Sequence, residues 1–275
     1  MTLKDPFVEA FLDACYEGDL PKTQEAIASG RLNSEDLDDG LAEATSMAHT
    51  ELVAALFDAG ASVSAKPVDA LPRDGRLEVQ HPAVVRLFFG HGLDPNATDS
   101  NGEPILAFMQ DPECAREFLS RGADPNRVGP QGTPVLLTAI ACLREDDTTL
   151  LELFLEYGAR LKPEHLFEAL GRRDTDSQFK TSYLLGKGLD PNASHTTWGT
   201  PLHCAIRNNH TSAIKVLLDA GADPTVRSEG RHFHGKTALE VAEWVRNPND
   251  RSAILSLLQS AQERDAISQD KEMSQ

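Results

Sequence analysis

Residues 230–237 read GRHFHGKT, which satisfies the pattern G-x-x-x-x-G-K-[ST] of a phosphate-binding P-loop. In such a loop, backbone N–H groups and the lysine, here Lys236, neutralise phosphate charge between a buried strand and a helix. The preceding segment, GADPTVRSE at residues 221–229, has no Val- or Ile-rich strand, and strands nowhere alternate with helices along the chain. The sequence therefore argues against a nucleotide site despite the matching motif.

The same stretch holds two alternating histidines, His232 and His234, which suggest a second chemistry. On an extended hairpin both would face one way and could bind a metal ion, with His195 as a third ligand. No cysteine or carboxylate stands at ligand spacing beside them. We therefore predict no metal and no cofactor.

Motifs for covalent or hydrolytic catalysis are also missing from the sequence. It contains no G-x-S-x-G, no H-E-x-x-H and no cysteine in a recognisable nucleophile context, so no catalytic residue is predicted and an enzyme is unsupported. The cysteines lie far apart with no C-x-x-C pair, which favours reduced, mostly buried thiols. They are Cys15, Cys114, Cys142 and Cys204.

Composition and charge narrow the class of protein. The chain has 275 residues, 40% hydrophobic and 25% charged, as expected for a globular protein with a large core. Its net charge of -17 repels nucleic-acid phosphate and anionic lipid, so we predict no direct nucleic-acid or membrane binding. Acidic residues interrupt the N-terminal segment where a signal peptide would be apolar, which favours a cytoplasmic or nuclear location.

A recurring phrase sets the organisation of the chain: FFGHGLDPN, FLSRGADPN, LLGKGLDPN and LLDAGADPT. The residues three, four and seven positions before each glycine are mostly apolar, such as Phe57, Leu56 and Val53, and share one helical face. Glycine suits the left-handed residue just past a helix end. Each unit therefore predicts a helix that stops at its glycine, at intervals of 30, 32, 30, 36, 30 and 33 residues: Gly30, Gly60, Gly92, Gly122, Gly158, Gly188 and Gly221.

Two further columns mark helix starts. Asp and Ser residues eleven positions before these glycines are predicted N-caps, in a column that also contains histidines. Its members are Asp19, His49, His81, Asp111, Asp147, Ser177 and His210. An earlier helix of the unit begins at GTPLHCA, GTPVLLTA, GEPILA and GKTALEVA, because Thr caps a helix and Pro suits its first position.

With these features the chain resembles the ankyrin-repeat family, whose unit carries T-P-L-H-x-A and G-A-x-x-N at a period of about 33 residues. The match is closest from Asp190 to Asp223. The resemblance implies an all-α solenoid of seven or eight helix-turn-helix units with short hairpin fingers, over residues 1–259. Residues 260–275 are expected to form a frayed or disordered tail, and residues 68–80 an irregular loop. The resemblance also implies that the His203 ring hydrogen-bonds backbone in adjacent fingers.

In ankyrin folds the fingers lie beside a concave groove where partners bind. The finger from Gly221 to Gly235 is longer than its neighbours and rich in Arg and aromatic residues, which are enriched at interface hot spots. We predict a monomeric, non-enzymatic adaptor or regulatory scaffold for a protein partner, for example a transcriptional coregulator. The predicted partner-binding residues are Arg127, Gln131, His195, Trp198, Arg227, Arg231, His232, Phe233 and His234.

Three other interpretations stay open. An enzyme or small-molecule binder would use a groove lined by His195, His203, His232 and His234, and would require a deep pocket with convergent polar groups. A structural spacer would tolerate every finger substitution without losing an interaction. A longer loop can also accept such residues without any function.

Overall fold

The computed structural model describes residues 5–71, 80–171 and 176–272, and within these ranges it is helical with no β-strand. The all-α prediction is confirmed. Residues 72–79 of the predicted irregular loop and residues 273–275 of the predicted tail lie outside the described residues. Within the described ranges, no helix is both long and apolar enough to cross a membrane.

The chain divides into two compact units. The first unit comprises Met1–Cys142 and Thr149–Ala159. Its helices are α1 (Pro6–Glu17), α2 (Leu20–Ala28), α3 (Ser34–Ser46), α4 (Thr50–Asp58), α5 (Ala65–Asp69), α6 (Pro82–Gly90), the 3-10 helix Ile105–Phe108, α7 (Pro112–Leu119), α8 (Leu136–Cys142) and α9 (Thr149–Glu156).

The second unit comprises Leu143–Thr148 and Arg160–Gln275. Its helices are α10 (Glu164–Ala169), α11 (Ser177–Gly186), α12 (Pro201–Asn208), α13 (Thr211–Asp219), α14 (Ala238–Ala242) and α15 (Pro248–Glu272). Helix α15 continues past residue 259, where the sequence predicts the end of the repeat domain. That domain boundary stays a prediction.

The repeated glycines end helices as the sequence predicts. All seven have a left-handed φ, between 66° and 102°, a conformation that costs glycine little. After Gly221, the amide of Ala222 donates to the Leu217 carbonyl at 2.9 Å, which satisfies one of the free carbonyls at the end of α13. The seven-fold recurrence of this stop gives the chain its repeat.

The predicted caps are correct for the two best-placed aspartates and wrong for Ser177. Asp19 accepts the Lys22 amide at 3.1 Å, and Asp111 accepts the Cys114 amide at 2.8 Å. Ser177 is instead the first residue of α11, and its hydroxyl lies 3.1 Å from the His210 ring. A helix that starts one residue earlier than expected therefore turns the serine from a cap into a link between repeats.

The threonine of GKTALEVA caps its helix as the sequence predicts. Thr237 caps α14 by accepting the Glu240 amide, while the Glu240 carboxylate accepts the Thr237 amide at 2.8 Å. Glu103 replaces threonine in GEPILA, and there the chain forms only the four-residue 3-10 helix. The buried Glu103 carboxylate accepts the amide of Gln131 in the next finger instead.

Both units have apolar interiors. Phe11, Phe88, Phe118 and Phe154 are fully buried in the first unit, and Ile206, Ile214 and Leu217 are buried in the second. Burial raises the pKa of the Cys15 and Cys204 thiols to about 12, and it raises the Cys114 pKa further. Thiols held protonated in this way are poor nucleophiles and poor metal ligands, which agrees with the expectation from their spacing.

Candidate partner-binding surface

The long finger of residues 221–235 is docked onto the finger before it through backbone hydrogen bonds. The Arg231 amide donates to the Thr196 carbonyl at 3.0 Å, and the His232 amide donates to the Thr197 carbonyl at 3.1 Å. The backbones meet so closely at Gly230 that a Cβ there would lie 2.2 Å from the Gly199 nitrogen. The finger is therefore a fixed element of the second unit and not a free loop.

The polar groups of the P-loop-like octapeptide bond to neighbouring groups of the protein. The Gly235 amide donates to the Ser228 carbonyl at 2.8 Å, and the Lys236 amide donates to the Phe233 carbonyl at 2.9 Å. The Lys236 ammonium lies 3.8 Å from the Glu240 carboxylate. Amides committed in this way do not form a phosphate cradle, which agrees with the argument from the flanking sequence.

Phe233 differs from the prediction made for it. Its side chain is only 6% exposed, and its ring lies 6.2 Å from both the His203 and Trp244 rings. Residues 231–235 form a turn that directs this ring inward while Arg231, His232 and His234 stay exposed. Phe233 therefore anchors the finger and is not available as a partner contact, contrary to expectation.

Trp198, in the finger before the long one, contacts two exposed side chains of the second unit. The His232 ring stacks on it with centroids 4.7 Å apart and an interplanar angle of 27°. The guanidinium of Arg207, an exposed residue of α12, lies 4.8 Å from the centroid of the indole. Trp198 itself is half-buried, so these contacts hold it in place and leave part of its surface to solvent.

Trp244 extends the same set of rings beyond α14. It is 58% exposed, which makes it the most exposed large apolar side chain among the described residues. Its ring lies 6.2 Å from Phe233, which in turn lies 6.2 Å from His232. We call Trp198, Arg207, Arg231, His232 and Trp244 the tryptophan–arginine surface.

Comparison with known proteins identifies the family of the chain. A model of ankyrin repeats, in three copies, matches residues 105–228 and 178–266. The chain belongs to the ankyrin-repeat family. The expectation drawn from the T-P-L-H and G-A-x-x-N phrases is thereby confirmed.

Solved ankyrin structures resemble the chain in fold. The human ASB11 ankyrin repeat domain has a TM-score of 0.51 at 20% identity, over 92% of this chain and 98% of that one. The ankyrin repeat domain of Bcl-3, a member of the IkappaB protein family, has a TM-score of 0.50 at 20% identity, over 90% and 97%. At this identity the likeness concerns the fold alone.

Curated relatives match only short segments. An ankyrin repeat-containing protein of Schizosaccharomyces pombe is 32% identical over 66 residues, which are 24% of this chain and 30% of that protein. The E3 ubiquitin-protein ligase hecd-1 of Caenorhabditis elegans is 36% identical over 78 residues, which are 28% of this chain and 3% of that protein. The chain thus covers a minor part of each relative's length.

Two residues of the predicted set, His195 and Arg227, brace the ankyrin fingers. The His195 Nδ1 accepts the Thr197 amide at 3.0 Å, so this ring shapes the tip of its own finger. Arg227 donates to the Gly235 carbonyl at 2.7 Å and lies 3.4 Å from the Glu240 carboxylate. Within the described ranges, no group of three or more His, Cys, Asp or Glu side chains has a metal-binding arrangement.

The other two predicted residues, Arg127 and Gln131, belong to the first unit. Arg127 donates to the Asn96 carbonyl of the preceding finger. Gln131 lines a cavity of about 390 Å³ together with Asp99, Glu103 and Phe108. In the second unit the predicted residues Trp198 and His232 do lie together.

Sequence reasoning missed Arg207 and Trp244. Arg207 lies one helical turn after His203 on α12, outside any finger, and Trp244 follows α14. A signal for Trp244 was available, because the chain has only two tryptophans and the other is Trp198.

His203 is structural, as the resemblance implies. Its side chain is fully buried; Nδ1 lies 2.8 Å from the Thr200 hydroxyl, and Nε2 lies 2.9 Å from the Lys236 carbonyl. With both ring nitrogens engaged, His203 does not line an open groove, which corrects the alternative of a groove built on four histidines. Burial lowers the pKa of His203 below its usual value, so the ring stays neutral near pH 7.

The buried histidines predict a pH-dependent stability. Because burial lowers the pKa of His203, the unfolded chain binds a proton below its usual histidine pKa of about 6.5 while the native protein does not. The free energy of unfolding should therefore fall as the pH is lowered from about 7.5 to about 5.5. Urea denaturation at several pH values measures this slope.

The variant His203→Asn should show a shallower slope than wild type, whatever its absolute stability. Burial also lowers the pKa of His165, so His165→Gln should remove a separate share of the pH dependence. An unchanged slope in His203→Asn would contradict the assignment of a neutral, buried ring.

Proposed function

We propose that the protein is a binding module for a protein partner and that the tryptophan–arginine surface is its contact site. Ankyrin repeats generally mediate protein–protein interaction, and the chain belongs to that family. One observation carries the choice of site: Trp244 is 58% exposed, and the Phe233 and His232 rings connect it to a Trp198 held by His232 and Arg207. Adaptor, regulatory scaffold and transcriptional coregulator are finer forms of this proposal, separated by the identity of the partner.

Trp and Arg are the residues most enriched at hot spots, where each contributes more than about 2 kcal/mol when it is desolvated. A tryptophan fixed by stacking loses little rotamer freedom on binding, which lowers the cost of association. Arg127 and Gln131 remain predictions for a contact made by the first unit.

The proposal is tested by affinity capture from the native cell with the full-length chain. Trp198→Ala combined with Trp244→Ala should lose the proteins captured by wild type, because both apolar contacts of the surface are removed. The matched control is Tyr16→Ala combined with Val128→Ala, since these are the other two large apolar side chains that are exposed among the described residues. This control should capture the same proteins as wild type.

Because Trp198 is half-buried, a second variant guards against a folding defect. Arg207→Glu changes an exposed residue, so it should leave the thermal melt near that of wild type and still lose the captured proteins. If both surface variants capture what wild type captures, the proposal is wrong, and the spacer interpretation explains the chain better.

A further inference from the structure

We infer that the tryptophan–arginine surface binds a short acidic segment of a partner protein, with an apolar side chain placed between its carboxylates. This inference rests on the proposed function and names the chemistry of the partner. It is argued from two arginines without an ion pair among the described residues, from the contact of Arg207 with Trp198, and from the exposure of Trp244.

The arginines of the surface are not neutralised by the protein itself. Arg207 and Arg231 are exposed, and neither forms an ion pair within the described part of the chain. Arg227 and Lys236 nearby do have a carboxylate, since both lie within 3.8 Å of Glu240. In a chain with 43 acidic and 26 basic residues, Arg207 against Trp198 and Arg231 next to His232 in sequence are donors that a partner's carboxylates can use.

The Arg207 stack prepares its guanidinium for a carboxylate. A guanidinium that lies over an indole uses its face for the cation–π contact, at 4.8 Å here. The N–H donors lie in the plane of the guanidinium and are not used by the cation–π contact, so they stay available for a bidentate carboxylate. Arg207 is thereby oriented before any partner arrives.

Trp244 and Trp198 supply the apolar part of the site. The ring series Trp198, His232, Phe233 and Trp244 has successive centroid distances of 4.7, 6.2 and 6.2 Å. A leucine or phenylalanine of the partner packed on the solvent-facing part of Trp198 would place a flanking carboxylate near Arg207, and the exposed Trp244 offers a second apolar contact. The surface thus matches a segment in which acidic and apolar residues alternate.

The local charge favours a short acidic segment over a long polyanion. Between Val226 and Arg246 four residues are basic (Arg227, Arg231, Lys236 and Arg246) and three are acidic (Glu229, Glu240 and Glu243), whereas the whole chain has a net charge of -17. At physiological ionic strength charges are screened beyond about 8 Å, so a short segment experiences mainly the local arginines. A nucleic acid would extend onto the acidic remainder and be repelled.

The two tryptophans make the inference directly measurable, because all of the chain's tryptophan fluorescence arises at this surface. The probe is a short synthetic peptide in which Asp and Glu alternate with Leu and Phe. Its control replaces every Asp by Asn and every Glu by Gln. The acidic peptide should change the fluorescence of the full-length protein to saturation, and its amide control should bind at least about tenfold more weakly.

Variants assign the effect to the two arginines. Arg207→Gln combined with Arg231→Gln should weaken the acidic peptide by about tenfold or more and leave the amide peptide unchanged, with anisotropy of a labelled peptide as a second readout. Arg31→Gln combined with Arg116→Gln changes the net charge equally at an exposed and a half-buried arginine of the first unit and should have no effect.

Several outcomes would overturn the inference. Equal binding of both peptides, no saturable change with the acidic peptide, or tighter binding of a phosphopeptide or a single-stranded oligonucleotide would each do so. If protein capture still depends on Trp198 and Trp244 in any of these cases, the proposed function stands and only the acidic partner is wrong. If capture is independent of both tryptophans, the proposed function itself fails.

Discussion

Replacing Phe233 by alanine should lower the free energy of unfolding by about 3–5 kcal/mol, the usual cost of removing a buried phenylalanine ring. The side chain is 6% exposed and lies between the His203, His232 and Trp244 rings. Its loss leaves a cavity under the finger and removes the side chain that anchors the turn of residues 231–235. Urea denaturation followed by tryptophan fluorescence measures the change, because both tryptophans are in the same unit as Phe233.

Trp244→Ala is the matched control for Phe233→Ala. Trp244 neighbours Phe233 but is 58% exposed, so its removal should cost about 0.5 kcal/mol or less. A Phe233→Ala protein no less stable than Trp244→Ala would contradict the anchoring role. The expected loss also makes Phe233→Ala unsuitable as a binding test, because reduced capture would then report unfolding.

Repeat architecture was predictable from sequence because its signals are local. The glycine past each helix has a left-handed backbone conformation, and its recurrence at nearly constant intervals is visible in the sequence. Thr237 caps a helix through Glu240, a residue only three positions away. The buried His203 ring follows from the T-P-L-H phrase, since its partner, the Lys236 carbonyl, lies one repeat later. When two residues that interact are always the same number of positions apart, the interaction appears in the sequence as a regular spacing of residue types.

The candidate surface was only partly predictable because its contacts do not follow the repeat. Phe233 was expected outward, but a turn has no regular alternation of side chains from which inward and outward positions can be derived. Arg207 approaches Trp198 from the end of α12, and Trp244 approaches Phe233 from beyond α14. These approaches depend on how the last fingers are docked, and that docking depends on Gly230.

Gly230→Ala should therefore destabilise the second unit and disturb the surface together, with a loss of about 2–4 kcal/mol from overpacking and weakened hydrogen bonds. A Cβ at this position would lie 2.2 Å from the Gly199 nitrogen, which is backbone and has no rotamer to yield. The fingers must move apart, which lengthens the bonds from the Arg231 and His232 amides to Thr196 and Thr197. Denaturation measures the loss of stability.

Tryptophan fluorescence of native Gly230→Ala reports the local consequence, because separating the fingers moves the His232 ring away from Trp198, on which it now stacks at 4.7 Å. Gly186→Ala is the matched control in the same unit, since a Cβ at that helical position meets nothing within 4 Å and alanine favours helix. Its stability should be unchanged or slightly raised and its fluorescence unaltered. If Gly230→Ala behaves like Gly186→Ala, the fingers are not held together by this close backbone contact, and the orientation of Arg231 and His232 must have another cause.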